Sequence, residues 1–150
     1  MLIAFANDQG GFDQREELVS YIESLGHTVE DFGIKTKESI DYPLIAKKAS
    51  QFVASGNAKF GILICGTGIG MSLSANKVNG IRCANVIKPE FAKLARRHND
   101  ANMISLSGRY VDVDDNKELI KIFLETSAEG ERHHRRVMEI MEIESENHND

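Results

Sequence analysis

The sequence predicts an α/β fold, a three-layer α/β/α sandwich with a Rossmann-like five-stranded parallel sheet plus a C-terminal helix. Short apolar runs alternate with segments whose apolar residues recur every three or four positions, and this alternation is repeated along the chain. A chain of 150 residues can bury roughly 70% of its unfolded surface in one core. We therefore predict a single domain over 1–150, with right-handed crossovers between its strands.

The first half of the chain predicts strands and helices in strict alternation. Apolar residues at helical spacing over 12–25 predict a helix, and Gly26 suits its C-terminal end. Asp41 and Pro43 favour the start of a second helix, which Gly56 closes. The strands predicted for this half are 2–6, 28–32 and 60–64.

The second half continues the alternation and ends in two helices. One helix follows the glycine-rich segment 65–70 and reaches residue 76, and Pro89 begins another that ends near residue 98. Residues 146–150 are expected to fray. The remaining strands are predicted at 81–86 and 103–106, and the last two helices at 116–126 and 131–144.

Composition and charge exclude several classes of protein. The net charge of −5 argues against nucleic-acid binding, because such proteins neutralise phosphates with positive charge. No apolar run of about 18 residues occurs, so no membrane segment is predicted. The N-terminus lacks the basic lead of a signal peptide. Cys65 and Cys83 form neither a disulfide framework nor a CxxC motif, which agrees with a cytoplasmic location.

Ligands of open parallel sheets bind beyond the carboxyl ends of the strands, which here selects the segments 7–11, 65–70 and 107–109. The second of these, Cys65-Gly66-Thr67-Gly68-Ile69-Gly70, is the strongest local signal. Alternate glycines allow a sharp turn with exposed N–H groups, which together with a following helix favour an anion. The segment lacks the spacing of a P-loop or of the dinucleotide fingerprint, so no nucleotide cofactor is predicted. A tight turn without function is the alternative.

Two side chains at these strand ends are candidates for chemistry. Cys65 lies at a predicted helix N-terminus, where thiolates form readily, so it is a candidate nucleophile or general base. Its alternative role is that of a small buried apolar residue, which is the role assigned to Cys83 inside its strand. Asp8 could orient a hydroxyl or a histidine, but an Asx turn into Gly10 and Gly11 is the simpler explanation.

Basic residues are concentrated in two short clusters. Arg132 and Arg136 are four apart, share a helical face and could clamp a phosphate. A stabilising role is a weak alternative for them, because positive charge at a helix N-terminus opposes the dipole. Arg109, after the fifth strand, is a third candidate phosphate ligand. Arg96 and Arg97 are better explained by favourable charge at a helix C-terminus.

His98 and Asn99 end the same helix as these two arginines, where each has an ordinary explanation as a capping group. The five histidines of the chain show no HExxH spacing and have no cysteine-pair partner. No metal site is therefore predicted.

A further set of motifs runs over nearly the whole chain. It comprises 61–70 followed by 75–77 and 80–82, with Asp41-Tyr42-Pro43, Arg97-His98-Asn99-Asp100-Ala101-Asn102, Gly108-Arg109, Gly130-Glu131-Arg132-His133 and Arg136-Val137. Together these motifs resemble those of type B ribose-5-phosphate isomerases. The wider family includes isomerases of galactose 6-phosphate and of other sugar phosphates.

The resemblance implies a metal-independent aldose–ketose isomerase without a cofactor, acting on ribose 5-phosphate and ribulose 5-phosphate in the non-oxidative pentose phosphate pathway. It also implies a homodimer, or a tetramer of paired dimers, whose active sites are shared between subunits and whose last helix docks on the partner. Cys65 matches the base that moves a proton between C1 and C2, Thr67 the group that stabilises the enediolate with the loop amides, and His98 the residue that opens the furanose ring. The substrate-binding positions matched are Asp8, Gln9, Tyr42, Gly66, Gly68, Ile69, Gly70, Asn99, Arg109, Arg132 and Arg136.

Gln9 departs from the family pattern, in which a histidine usually follows the aspartate of the first strand. Glutamine cannot carry charge or shuttle a proton, so ring opening, phosphate affinity or substrate choice could differ. An isomerase of a tetrose, allose or galactose phosphate is therefore an alternative. A non-catalytic phosphosugar-binding subunit is a second alternative, against which the presence of Cys65, Thr67 and His98 argues.

Overall fold

The computed structural model describes residues 1–147, which form five strands and six helices in a three-layer α/β/α arrangement. The predicted fold class is confirmed. The strands are β1 Leu2–Asn7, β2 Thr28–Asp31, β3 Phe60–Cys65, β4 Cys83–Asn85 and β5 Met103–Ser107. The helices are α1 Phe12–Ser24, α2 Tyr42–Ala54, α3 Ile69–Ala75, α4 Pro89–Arg97, α5 Val113–Glu125 and α6 Arg132–Asn147.

The sheet is parallel throughout and has the strand order β2-β1-β3-β5-β4. The three central strands are therefore β1, β3 and β5, and the loops that follow them are the three segments that the sequence predicts as ligand-binding. Asn7 of β1 pairs with Ile64, and Cys65 of β3 pairs with Ser107, so the three strands end at the same level. Because parallel strands share one carboxyl edge, the segments 7–11, 65–70 and 107–109 meet there, as predicted.

Two apolar layers hold the helices on opposite faces of the sheet. Alternate residues of each strand point to opposite faces, so Ile62 and Ile104 join the layer beneath α1, α4 and α5. Leu63 and Met103 join the layer beneath α2 and α3. All six residues of β3 are buried, which is the pattern of a central strand covered on both faces.

Two elements begin two or three residues away from their predicted starts, and local hydrogen bonds explain both. The strand β4 begins at Cys83 rather than at residue 81, because the N–H of Arg82 donates to the side chain of Asn102 at 2.8 Å instead of to a neighbouring strand. The helix α5 begins at Val113 rather than at residue 116, because the carbonyl oxygen of the extended Asp112 already accepts a hydrogen bond from the N–H of Asn116 at 2.9 Å.

The last helix, α6, contributes little to the core of its own chain. Among its described residues only Val137 is buried, whereas Met138, Ile140 and Ile143 are exposed. The helix continues through Asn147, three residues beyond its predicted end at 144, so the predicted fraying does not begin at residue 146. Residues 148–150 lie outside the described part of the chain. Within residues 1–147, no helix is long and apolar enough to span a membrane.

Candidate active site

The end of β3 places a cysteine sulfur directly above the glycine-rich turn. Cys65 is the last residue of the strand, and the N–H of Gly68 donates a hydrogen bond to its Sγ at 3.1 Å. Gly68 has a φ of +87°, which strains any side chain, and a Cβ there would lie 3.0 Å from the carbonyl oxygen of Leu106. The sequence therefore folds into this turn only with glycine at position 68, and the turn fixes the position of the sulfur.

The residues after this turn carry backbone N–H groups that have no hydrogen-bond acceptor in the described part of the chain. Thr67 Oγ1 accepts a hydrogen bond from the N–H of Ile69 at 3.1 Å. The next two N–H groups, those of Gly70 and Met71, donate to no acceptor among residues 1–147. They belong to the first turn of α3, where helix N–H groups are unpaired and negative charge is favoured. The sequence analysis did not predict Met71 as a site residue, because Met71 would contribute only its backbone N–H group, which every residue except proline has.

A buried carboxylate and an exposed guanidinium border the turn. Asp8 is 5% exposed, and its Oδ1 accepts a hydrogen bond from the N–H of Gly10 at 2.8 Å, which confirms the predicted Asx turn. Burial raises the pKa of Asp8, against the lowering effect of N–H groups in the same turn and of the nearby Arg109. Arg109 lies over Gly66, since a Cβ at position 66 would be 3.1 Å from a terminal nitrogen of its guanidinium.

Two further side chains lie at this edge, one at the start of α2 and one after β1. The Tyr42 ring packs directly against Gly70, where its Cζ atom would lie 2.6 Å from an added Cβ. Gln9 Oε1 accepts a hydrogen bond from the N–H of Ile40 at 3.2 Å and so ties that segment to the end of β1. We call the following residues the carboxyl-edge cluster: Asp8, Gln9, Tyr42, Cys65, Gly66, Thr67, Gly68, Ile69, Gly70 and Arg109.

The remaining sequence-predicted residues lie elsewhere, and we call them the α6 cluster: His98, Asn99, Arg132 and Arg136. His98 follows the last turn of α4, and its ring stacks on that of His133 at a centroid separation of 4.0 Å. Asn99 lines a groove of 630 Å³ beside Ile140 and Met141 of α6. Arg132 and Arg136 are exposed, and neither pairs with a carboxylate among residues 1–147.

The two clusters lie at opposite edges of the sheet. The helix α4 runs back from the carboxyl edge, and Arg96 near its end lies over the ring of Phe60, the first residue of β3, at 4.7 Å. His98 is therefore at the amino edge, whereas Cys65 ends the same strand at the carboxyl edge. The strand between them spans about 16 Å at about 3.3 Å per residue. The fold thus does not bring Cys65 and His98 of one chain together.

Positive charge around α4 and α6 serves two purposes. Arg96 is 5% exposed and donates to the carbonyl oxygens of Ala101 and Thr126, so its role is internal and stabilising. Arg97 pairs with Glu129 at 2.7 Å. By contrast, the first turn of α6 holds no acidic residue, which leaves Arg132 and Arg136 opposing both the helix dipole and each other. A bound anion would remove this conflict.

Sequence reasoning missed the residues that brace the carboxyl edge. Ser107 Oγ donates to the carbonyl oxygen of Gly66 at 2.7 Å and accepts from the N–H of Tyr110 at 3.0 Å. The side-chain amide of Gln14 donates to the carbonyl oxygens of Gly108 and Val111, at 3.1 and 2.8 Å. Isolated serine and glutamine residues carry no sequence signal for such contacts, which depend on the spatial meeting of distant loops.

The second cysteine has a different environment. Cys83 lies in β4, and burial raises the pKa of its thiol to about 12, so the thiol is protonated at neutral pH. The prediction that Cys83 belongs to the core is confirmed. Of the two thiols, only Cys65 adjoins the glycine-rich turn.

Comparison with known proteins identifies the family. Residues 3–140 match the Ribose/Galactose Isomerase family. The chain is 40% identical to ribose-5-phosphate isomerase B of Escherichia coli over 142 residues, covering 95% of each protein. It is 39% identical over 125 residues to a galactose-6-phosphate isomerase subunit of Clostridium acetobutylicum, covering 83% of this chain and 72% of that subunit.

The solved structures agree with this assignment. The crystal structure of a ribose 5-phosphate isomerase from Thermotoga maritima superposes with a TM-score of 0.91. The two chains are 44% identical, and the match covers 94% of this chain and 97% of the other. From the family match, these relatives and the shared fold, we conclude that this chain is an isomerase that belongs to the ribose/galactose isomerase family.

Proposed function

We propose that the protein is an aldose–ketose isomerase that interconverts ribose 5-phosphate and ribulose 5-phosphate, in the non-oxidative pentose phosphate pathway of the cytoplasm. The observation that carries the proposal is the carboxyl-edge cluster, in which the Cys65 sulfur lies beside unpaired N–H donors. A reaction that moves a proton between two carbons needs a base and donors for the developing negative charge, and this cluster supplies both. Relatives that are named ribose-5-phosphate isomerases support the same substrate.

Each group then has a defined task in the reaction. Cys65 removes the proton from C2 of the open-chain aldose and returns it to C1. Thr67 and the N–H groups of Gly70 and Met71 hydrogen-bond the enediolate oxygens as charge develops on them. His98 transfers the proton that opens the furanose ring. No metal or cofactor takes part in this scheme.

Substrate binding uses the rest of both clusters. Asp8, Tyr42 and Asn99 hold sugar hydroxyls, with Gln9 beside them. Arg109, Arg132 and Arg136 bind the phosphate, which is remote from the reacting carbons and supplies binding energy that positions them. Arg132 and Arg136 are suited to this task because residues 1–147 give them no acidic partner.

The two clusters belong to one site only if a second chain supplies one of them. We infer a homodimer in which the α6 cluster of one subunit faces the carboxyl-edge cluster of the other. Apolar side chains are exposed in both places: Ile69 and Leu73 beside the glycine-rich turn, and Met138, Ile140 and Ile143 on α6. In this arrangement α6 docks on the partner and these side chains leave water, which favours association.

A second candidate function is isomerisation of a different sugar phosphate. The observation that favours it is Gln9, whose Oε1 is already bonded to the N–H of Ile40 and whose side chain cannot donate a proton as an acid. A galactose-6-phosphate isomerase subunit is among the relatives. Assays of aldose–ketose conversion with tetrose, pentose and hexose phosphates separate the two candidates. Ribose 5-phosphate should give the highest kcat/KM, and a higher value for another sugar phosphate would favour the second candidate.

We expect Arg136→Ala to raise KM for ribose 5-phosphate by about 10-fold or more, since a hydrogen bond to a charged group is worth about 1.5–3 kcal/mol. The expected loss in kcat is smaller, because the phosphate is remote from the chemistry. Initial rates over a range of substrate concentrations measure both. Arg135→Ala is the matched control, because Arg135 is the adjacent exposed arginine and pairs with Glu139 on the same helix. A fall in kcat without a change in KM would contradict the phosphate role.

We expect Gln9→His to raise kcat/KM on ribose 5-phosphate by a few-fold, since one added polar contact is worth about 1 kcal/mol. The expected effect on a tetrose phosphate is small, because that sugar cannot close a ring through its phosphorylated hydroxyl and needs no ring opening. Parallel assays with ribose 5-phosphate and erythrose 4-phosphate measure the difference. Equal gains on both would assign position 9 to phosphate binding, and no gain on either would leave Gln9 a turn residue.

A further inference from the structure

A histidine pair and a glutamate converge where α4 and α6 meet. The rings of His98 and His133 are stacked with an interplanar angle of 5°, and the carboxylate of Glu129 lies beside them. One ligand atom from each of the three residues lies within 4.8 Å of the other two. The residues come from the end of α4, the segment before α6 and the first turn of α6, so their sequence spacing forms no recognisable motif.

The carboxylate is held in place by bonds that leave one oxygen available. The N–H of Glu129 donates to the carbonyl oxygen of Arg97 at 2.8 Å, and its Oε1 accepts from Arg97 Nε at 2.7 Å. Its second oxygen, Oε2, is 3.4 Å from His133 Nε2. Glu129 therefore directs one carboxylate oxygen, Oε2, toward the imidazole rings.

Two imidazoles and one carboxylate oxygen are a ligand set for Zn²⁺ and related divalent transition metals, with positions left for water. We propose that His98, Glu129 and His133 bind such an ion, and that the bound ion inhibits the enzyme by withdrawing His98 from ring opening. The binding half of this proposal stands on the geometry alone. The inhibition half rests on the proposed function of His98.

Forming the site requires the two imidazole rings to rotate out of their stacked arrangement. A tetrahedral ion with bonds of about 2.1 Å brings its ligand atoms to about 3.4 Å from one another, closer than the 4.8 Å limit within which these atoms lie. Parallel rings must turn so that their nitrogens converge, and the terminal torsion of histidine has a broad energy minimum. The guanidinium of Arg97 and the nearby Arg132 and Arg136 oppose a cation. Binding is therefore reversible and removable by a chelator, as an inhibitory rather than a structural ion requires.

Metal binding is tested directly on the untagged full-length protein after treatment with EDTA. Zn²⁺ is titrated in competition with a chromophoric chelator, and Co²⁺ is titrated while its visible absorption is recorded. We expect one ion per chain and a loss of affinity of at least about 10-fold in His133→Ala. His134→Ala is the matched control, because His134 is the adjacent exposed histidine and is not part of the cluster. Equal affinity in the wild type and His133→Ala overturns the proposal.

A second variant distinguishes the loss of a metal ligand from a folding defect. Glu129→Gln keeps an oxygen that can accept from Arg97 but removes the negative charge that a metal ligand needs. It should fold with an unchanged circular dichroism spectrum and bind Zn²⁺ more weakly than the wild type. Undiminished binding by a folded Glu129→Gln variant would also overturn the proposal.

Inhibition is measured separately in the isomerase assay. Zn²⁺ should inhibit the wild type, EDTA should restore its activity, and His133→Ala should keep most of its activity while resisting Zn²⁺. Equal inhibition of both proteins would assign the effect to another group, such as the Cys65 thiol, and would overturn the inhibitory role. If the wild type binds Zn²⁺ through His133 but converts no sugar phosphate, the proposed function fails and the metal site stands.

Discussion

Replacing Cys65 with alanine is expected to lower turnover by about 100-fold or more, the usual contribution of a positioned acid–base group. The reaction needs a base within reach of C1 and C2, and alanine cannot accept a proton. Binding of the phosphate should change little, because the methyl group of alanine leaves the glycine-rich turn and the arginines in place. Turnover on ribose 5-phosphate and affinity for a non-reactive sugar phosphate measure the two quantities.

Cys83→Ala is the matched control for this experiment. It removes the other thiol, which is buried, has a pKa raised to about 12 and lies in β4 rather than in the glycine-rich turn. This variant should retain its turnover, although the lost volume in the core should lower its melting temperature. Near-normal turnover of Cys65→Ala, or an equal loss in both variants, would contradict the role of Cys65 as the base.

The sequence was sufficient to predict which loops meet, because parallel sheets obey strong geometric rules. Once the apolar runs of β1, β3 and β5 are recognised, the carboxyl-edge rule brings the segments that follow them to one edge. The glycines of 65–70 then indicate the turn, since the φ of +87° at Gly68 is open to few other residues. The position of the carboxyl-edge cluster can therefore be predicted from the local sequence patterns and the fold class alone.

The position of α6 could not be predicted in the same way. Its apolar spacing predicts a helix but does not say where the helix packs, and its own chain buries only Val137 among its described residues. The stacking of His133 on His98, and the approach of Glu129, are consequences of that packing. The prediction that no metal site exists relied on sequence spacing, which is informative only for ligands on one helix or in one short loop.

The proposed sharing of sites between subunits predicts complementation between two inactive variants. Cys65→Ala and His98→Ala should each lose about 100-fold in turnover on ribose 5-phosphate. Each changes a different edge of the sheet, and Cys65 and His98 of one chain are separated by the length of β3, about 16 Å at about 3.3 Å per residue. In a mixed dimer, one site then carries both lesions and the other carries neither. Random pairing of equal amounts should therefore restore about a quarter of wild-type activity.

The amount of recovered activity distinguishes this arrangement from its alternatives. If each chain built a complete site, every site in the mixture would carry one lesion, and mixing would restore nothing. Native mass spectrometry of differently tagged subunits establishes that mixed dimers have formed, so absence of activity in their presence would contradict a shared site. Mixing Cys65→Ala with Asp8→Ala is the matched control. Both residues lie in the carboxyl-edge cluster, so a mixed dimer has one lesion in each site and should remain inactive even though its subunits exchange equally well.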